Sequence, residues 1–108
     1  MELTDITKEM YEISKRLDKA SRVLTKMAVE RAETERIYRM KLAQEMLKLK
    51  DEGVSVTLIP DMARGNVSDL KFQRDLAEGK YKAAIESLEA LKSQLSALQS
   101  ILKYQEAV

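Results

Sequence analysis

With neither Cys nor His among its 108 residues, the titratable side chains of this chain are carboxylates, ammonium and guanidinium groups and four tyrosines. That removes thiol nucleophiles, histidine general bases, disulfides and Cys/His zinc sites together. It also removes the Glu-x-x-His pair of the usual di-iron bundle. Glu30, Glu33 and Glu35 would need another helix to complete a metal site, and their spacing reads as surface charge alternation. No nucleophile–base pair can be named, and the glycines 53, 65 and 79 stand alone, so no phosphate-cradling loop is written in the chain. The expectation is a protein that is not an enzyme and takes no cofactor.

What remains is chemistry of contact. Lys8, Lys15, Lys19, Arg22 and Lys26 step by 7, 4, 3 and 4, which stacks them on one helix face. Phosphates of a nucleic acid, or an acidic partner, could meet such a stripe along roughly 27 Å. Against this, Glu12 and Asp18 flank it, no aromatic residue interleaves for base stacking, and 19 basic against 18 acidic residues leave a net charge of only +1. The competing reading is a solvated face, or ion pairs with a neighbouring subunit. Arg31 and Glu35 form a second candidate: an i, i+4 pair that interrupts an apolar seam, expected opposite Tyr81 if two helices run antiparallel. A polar layer in a seam fixes register. The same three residues could instead line a small pocket.

These residues need long helices to position them. Residues 4–52 contain no Pro or Gly, and Ile6, Met10, Ile13, Leu17, Ala20, Leu24 and Met27 alternate steps of 4 and 3, the seam of a coiled coil. The seam fails at Arg31 and Glu35 and resumes at Tyr38, Leu42, Met46 and Leu49. Thr4 or Asp5 is expected to cap the start, and Gly53 to take the left-handed position past the end. Residues 53–66 form a connector in which Val54, Val56 and Leu58 alternate with Ser55 and Thr57, suggesting a short strand over 54–58. Pro60 then fixes a turn or opens one helical turn closed by Gly65, and Asn66 with Asp69 makes a variant capping box. A second helix over 67–105 carries Ala77, Tyr81, Ala84, Leu88, Leu91, Leu95, Leu98 and Leu102 at the same alternating spacing. Gly79 inside it implies a close backbone approach or a kink. The expected fold is all-α: one domain, a long antiparallel, coiled-coil-like helical hairpin with a short irregular or β connector.

A hairpin buries one stripe per helix, a small core for this length. The second helix has a further stripe, Ala90, Ser93, Ala97, Ser100 and Tyr104 with Ile101 beside it, and between Ala90 and Gln105 its only charges are Lys92 and Lys103. A two-sided helix of this kind suits the inside of a bundle. The chain is therefore expected to self-associate, most simply as a two-fold dimer forming a four-helix or larger bundle. A surface of tolerated Ala and Ser is the plainer alternative. The connector supplies the other expected contact, with Val54, Val56, Leu58, Ile59, Met62 and Arg64 either meeting a protein partner or plugging the end of the hairpin.

The run TLIPDMARGNVSDLKFQRDLAEGKYKAAIESL at residues 57–88, behind a long charged helix, resembles small uncharacterised helical-hairpin proteins encoded by bacteriophages and prophages. The resemblance implies a bacterial intracellular setting and action by binding, and it transfers no site residues. Acids at Glu2 and Asp5 stand where a secretory signal carries Lys or Arg, and the longest uncharged run after residue 90, Ser93 to Leu102, is far short of the roughly 20 apolar residues of a spanning helix. A cytoplasmic location without a membrane partner is expected. The functional expectation is an oligomeric protein that binds a host or phage protein, with nucleic-acid binding through the basic stripe as the alternative.

Overall fold

The computed structural model describes residues 2–107, and they are all-α. Helix α1 is Leu3–Asp51, α2 is Ile59–Asn66 and α3 is Ser68–Ala107, with no strand among the described residues. The 49 residues of α1 hold neither Pro nor Gly. Asp5 in its first turn and Lys48 and Lys50 in its last complement the helix dipole. The helix begins two or three residues earlier than the capping pattern suggests. The Glu2 carbonyl accepts the N–H groups of Asp5 and Ile6, both at 3.1 Å, so Thr4 and Asp5 lie inside the first turn instead of capping it.

The end of α1 follows from Gly53, whose φ of +80° is open to glycine and strained for other residues. Gly53 N–H donates to the Lys50 carbonyl at 3.0 Å and Val54 N–H to the Leu49 carbonyl at 3.1 Å. This is the paired bonding of a Schellman cap, and Val54 packs against the cluster that holds Leu49.

That cap removes the expected strand at 54–58. Val54 is committed to α1, and a lone strand would have no ladder partner for its backbone. The chain turns instead. The Ser55 carbonyl accepts the N–H groups of Leu58 at 2.9 Å and Ile59 at 3.2 Å, and α2 begins with Pro60 in its first turn. Gly65 does not close α2, which runs on to Asn66. Asn66 is therefore still helical and does not cap α3; its side-chain amide donates to Glu45 Oε1 at 2.8 Å. Val67 takes the junction, its N–H bonded to the Ala63 carbonyl and its own carbonyl accepting from Leu70 and Lys71, each at 3.1 Å.

Contacts divide the chain into two compact units, one holding α1 up to Lys26 with α3 from Lys82, the other running from Met27 to Tyr81. In the first, Ile6, Ile13, Leu91 and Leu98 are buried together, with Met10, Leu17, Ala20, Leu95 and Leu102 packed around them. These are the seam residues the spacing singles out. In the second, α1 and α3 run antiparallel: Glu30 faces Lys80, Arg31 faces Glu78 and Glu35 faces Arg74. Tyr38 and Ala77 are buried there. Leu49, Ile59 and Ala63 form a further core with Leu42, Met46 and Val54. Burying a side chain of the size of Leu or Ile contributes about 1.5–3 kcal/mol. Gly79 marks neither a close approach nor a crowded crossing, since nothing lies within 4 Å of the place a Cβ would take.

Candidate functional site

Within the second unit the break in the α1 seam is filled by charge. Arg31 Nη2 lies 3.7 Å from Glu78 Oε1, and its guanidinium sits 5.1 Å from the centre of the Tyr81 ring. Arg74 Nε lies 3.5 Å from Glu35 Oε2, and its guanidinium sits 4.5 Å from the centre of the Tyr38 ring. The two trios have one sequence spacing, Arg-x3-Glu-x2-Tyr, written RAETERIY at 31–38 and RDLAEGKY at 74–81. Because the helices run antiparallel, each arginine meets the glutamate and tyrosine of the other helix, giving a local pseudo-two-fold. Arg31 and Glu35 were expected to satisfy each other along α1; each reaches α3 instead, and Glu35 also accepts from Arg39 Nε at 2.6 Å. Tyr81 stands where the register argument places it. The repeat that brings Tyr38, Arg74 and Glu78 into the layer is visible only when the two helices are aligned on their arginines.

The layer borders an open notch of roughly 520 Å³ lined by Ala28, Arg31, Ala32, Glu35, Arg74 and Glu78. Its charges are matched pairwise and its arginine faces lie on tyrosine rings, the state of groups that orient one another. Beside it, Asp75 is held below the usual aspartate range, first by the hydrogen bond from Lys71 and then by that from Arg74. Lys71 Nζ to Asp75 Oδ2 is 3.0 Å, and Arg74 Nη2 to Asp75 Oδ1 is 3.0 Å. Arg74 is held above the usual arginine range by the same Asp75 bond, against the opposing effect of burial. No group of three or more acids that could hold a metal is found among the described residues.

The connector divides into two faces. Ile59 and Ala63, one helical turn apart on α2, are buried with Val54 half-buried beside them. Ile59 and Val54 thus take part in closing this core on Leu49, the plug side of the expectation, while Ile59 also reaches the groove outside it. Val56, Leu58 and Met62 stay outside, Val56 at 77% exposure and Leu58 at 56%. Arg64 is exposed and pairs with Asp61 at 2.9 Å. Next to them, Ala43, Met46, Leu47, Lys50, Val56, Ile59 and Pro60 line an open, mainly apolar groove of roughly 520 Å³.

Lys8, Lys15, Lys19, Arg22 and Lys26 are all exposed on α1. Two have partners on the same helix: Lys15 with Glu12 at 3.5 Å and Arg22 with Asp18 at 2.6 Å. An aromatic residue does border the stripe, for the Lys15 ammonium lies 4.7 Å from the centre of the exposed Tyr11 ring. Ala90, Ser93, Ala97, Ser100, Ile101 and Tyr104 are all exposed on α3. No helix among the described residues is long and apolar enough to cross a membrane. The chain matches no protein-family model, no curated protein and no solved structure, so what it can do rests on its own residues.

Proposed function

We propose that this chain acts by protein–protein interaction, as a non-enzymatic helical protein that self-associates through the outward side of α3 and binds a protein partner at its connector. The observation that carries the reading is the divided connector. One apolar face is spent on closing the second unit, while Val56, Leu58 and Met62 remain on the outside beside the Leu47 groove. Grouped exposed apolar residues on a segment held by two helices mark contact surfaces. The resemblance at residues 57–88 supports a bacterial cytoplasmic setting and a phage-encoded accessory factor or inhibitor whose target is a host or phage protein.

The test is partner capture from bacterial lysate by wild-type protein and by a Val56→Asp, Leu58→Asp double variant. Both positions are exposed, so circular dichroism is expected to show unchanged helicity while capture is lost. Capture that survives the double change moves the site away from the connector.

One observation favours a second reading, the exposed Tyr11 ring beside Lys15 in the basic stripe, where a base could stack while Lys8, Lys19 and Lys26 meet phosphates. That reading expects nucleic-acid affinity that falls steeply with salt and is abolished by Lys15→Glu with Lys19→Glu. A gel shift without retardation at low salt ends it.

A further inference from the structure

The outward side of α1 in the second unit carries a stripe of exposed residues at helical spacing. Val29, Glu33, Arg36, Met40, Ala43 and Leu47 step by 4, 3, 4, 3 and 4. At 100° per residue they point away from Tyr38, Leu42 and Leu49, which face the interior. Val29 is 66% exposed, Met40 48% and Leu47 64%. Val29 and Met40, large apolar side chains flanking the charged pair at seam spacing on the solvent side of the helix, are the ends of a second coiled-coil seam.

The charges in this stripe say what the partner is. Glu33 and Arg36 are ion-paired to each other, and the pair holds the Glu33 carboxyl below the usual range, the Arg36 hydrogen bond being the main cause. The order Val29, Glu33, Arg36, Met40 is apolar, acidic, basic, apolar, and it is its own complement when reversed. Laid antiparallel on a copy of itself about an axis between positions 34 and 35, Val29 meets Met40 of the second copy and Glu33 meets Arg36 of the second copy, each contact occurring twice. We propose that a second copy of this chain docks antiparallel on the outward face of α1 in this register. The interface is isologous, the commonest kind, and its charged centre becomes a four-membered ring of alternating sign. The inference rests on the self-association proposed above and differs from it in face, α1 instead of α3.

Sedimentation equilibrium over a concentration series tests it with four variants. Glu33→Arg alone sets like charges together twice, and the dimer dissociation constant is expected to rise about tenfold or more, a free-energy change of about 1.4 kcal/mol or above. The exchange Glu33→Arg with Arg36→Glu restores both the pair within the helix and the pairs between copies, so dimerisation is expected to return. Because the chain has no Cys, Val29→Cys with Met40→Cys is expected to form a disulfide-linked dimer on mild oxidation. An unchanged mass for Glu33→Arg, or no recovery in the exchange variant while circular dichroism shows both helical, overturns the proposal. If Ala97→Glu dissociates the protein and Glu33→Arg does not, the α3 interface stands and this one fails. A monomeric wild-type protein ends both.

Discussion

Arg74 meets three partners in the polar layer: Asp75 beside it, Glu35 across the seam and the Tyr38 ring beneath it. Its side chain is 24% exposed and lies on the buried Tyr38 ring, so it is less screened than the surface pairs around it. Arg74→Ala is expected to lower stability by about 1–2 kcal/mol, measured by urea unfolding, with Arg74→Lys intermediate because the planar fork and its ring stacking are lost. Equal stability of wild type and Arg74→Ala would show the layer to be passive. Asp75 adds a pH dependence of definite sign. Its carboxyl titrates lower in the folded chain than in the unfolded one, so its contribution is present above the ordinary aspartate range and is lost as pH falls through the depressed native value. Asp75 is exposed, so the effect is small, and Asp75→Asn is expected to flatten that part of the acid limb of stability against pH. At this scale half the layer was legible. Arg31 and Glu35 stand out because they break an apolar pattern, whereas Arg74 and Glu78 sit in a stretch already rich in charge, where nothing local separates a layer residue from a surface one.

Each helix end is decided by a few residues whose substitution has a stated direction. Gly53→Ala is expected to cost about 1 kcal/mol or more, since its left-handed backbone strains any side chain. Gly79→Ala goes the other way: the site is helical with open space at the Cβ, so thermal unfolding is expected to rise by the equivalent of about 0.5–1 kcal/mol. A loss on Gly79→Ala would mean that something packs there in solution. Ile59→Ala, which empties the core under α2, is expected to cost about 2–4 kcal/mol and to loosen the connector before the long helices. The two long helices and the Gly53 cap are legible because 3.6-residue periodicity and left-handed glycine are local properties. The connector misleads, because Val54-Ser55-Val56-Thr57-Leu58 alternates like a strand. Tertiary contact decides it: Val54 packs into the core of Leu49, Ile59 and Ala63, while the rest of the run stays exposed without a ladder partner. Asn66 misleads in the same way, since Glu45, distant in sequence, takes its side chain.

For the molecule as a whole, a charge balance of 19 against 18 conceals a sorting of surface. Each unit has its own core, yet both long helices keep apolar side chains on their outward faces, Val29, Met40 and Leu47 on α1, and Phe72, Leu76, Ile101 and Tyr104 on α3. Single exposed apolar residues are ordinary on a protein surface, whereas rows of them at helical spacing on both helices are what the proposed self-association would cover. On the proposed function, activity belongs to an assembly, with the connector presented to a partner. The α3 face is legible in sequence because charges thin out after Ala90; the α1 face is hidden there by Glu33 and Arg36, which read as ordinary surface until the helix shows which side they share. The most direct measurement is the mass of the wild-type protein in solution by sedimentation equilibrium. The account requires twice the 12.3 kDa of one chain, or a higher even multiple, at micromolar concentration. A mass of 12.3 kDa throughout the concentration series would contradict it.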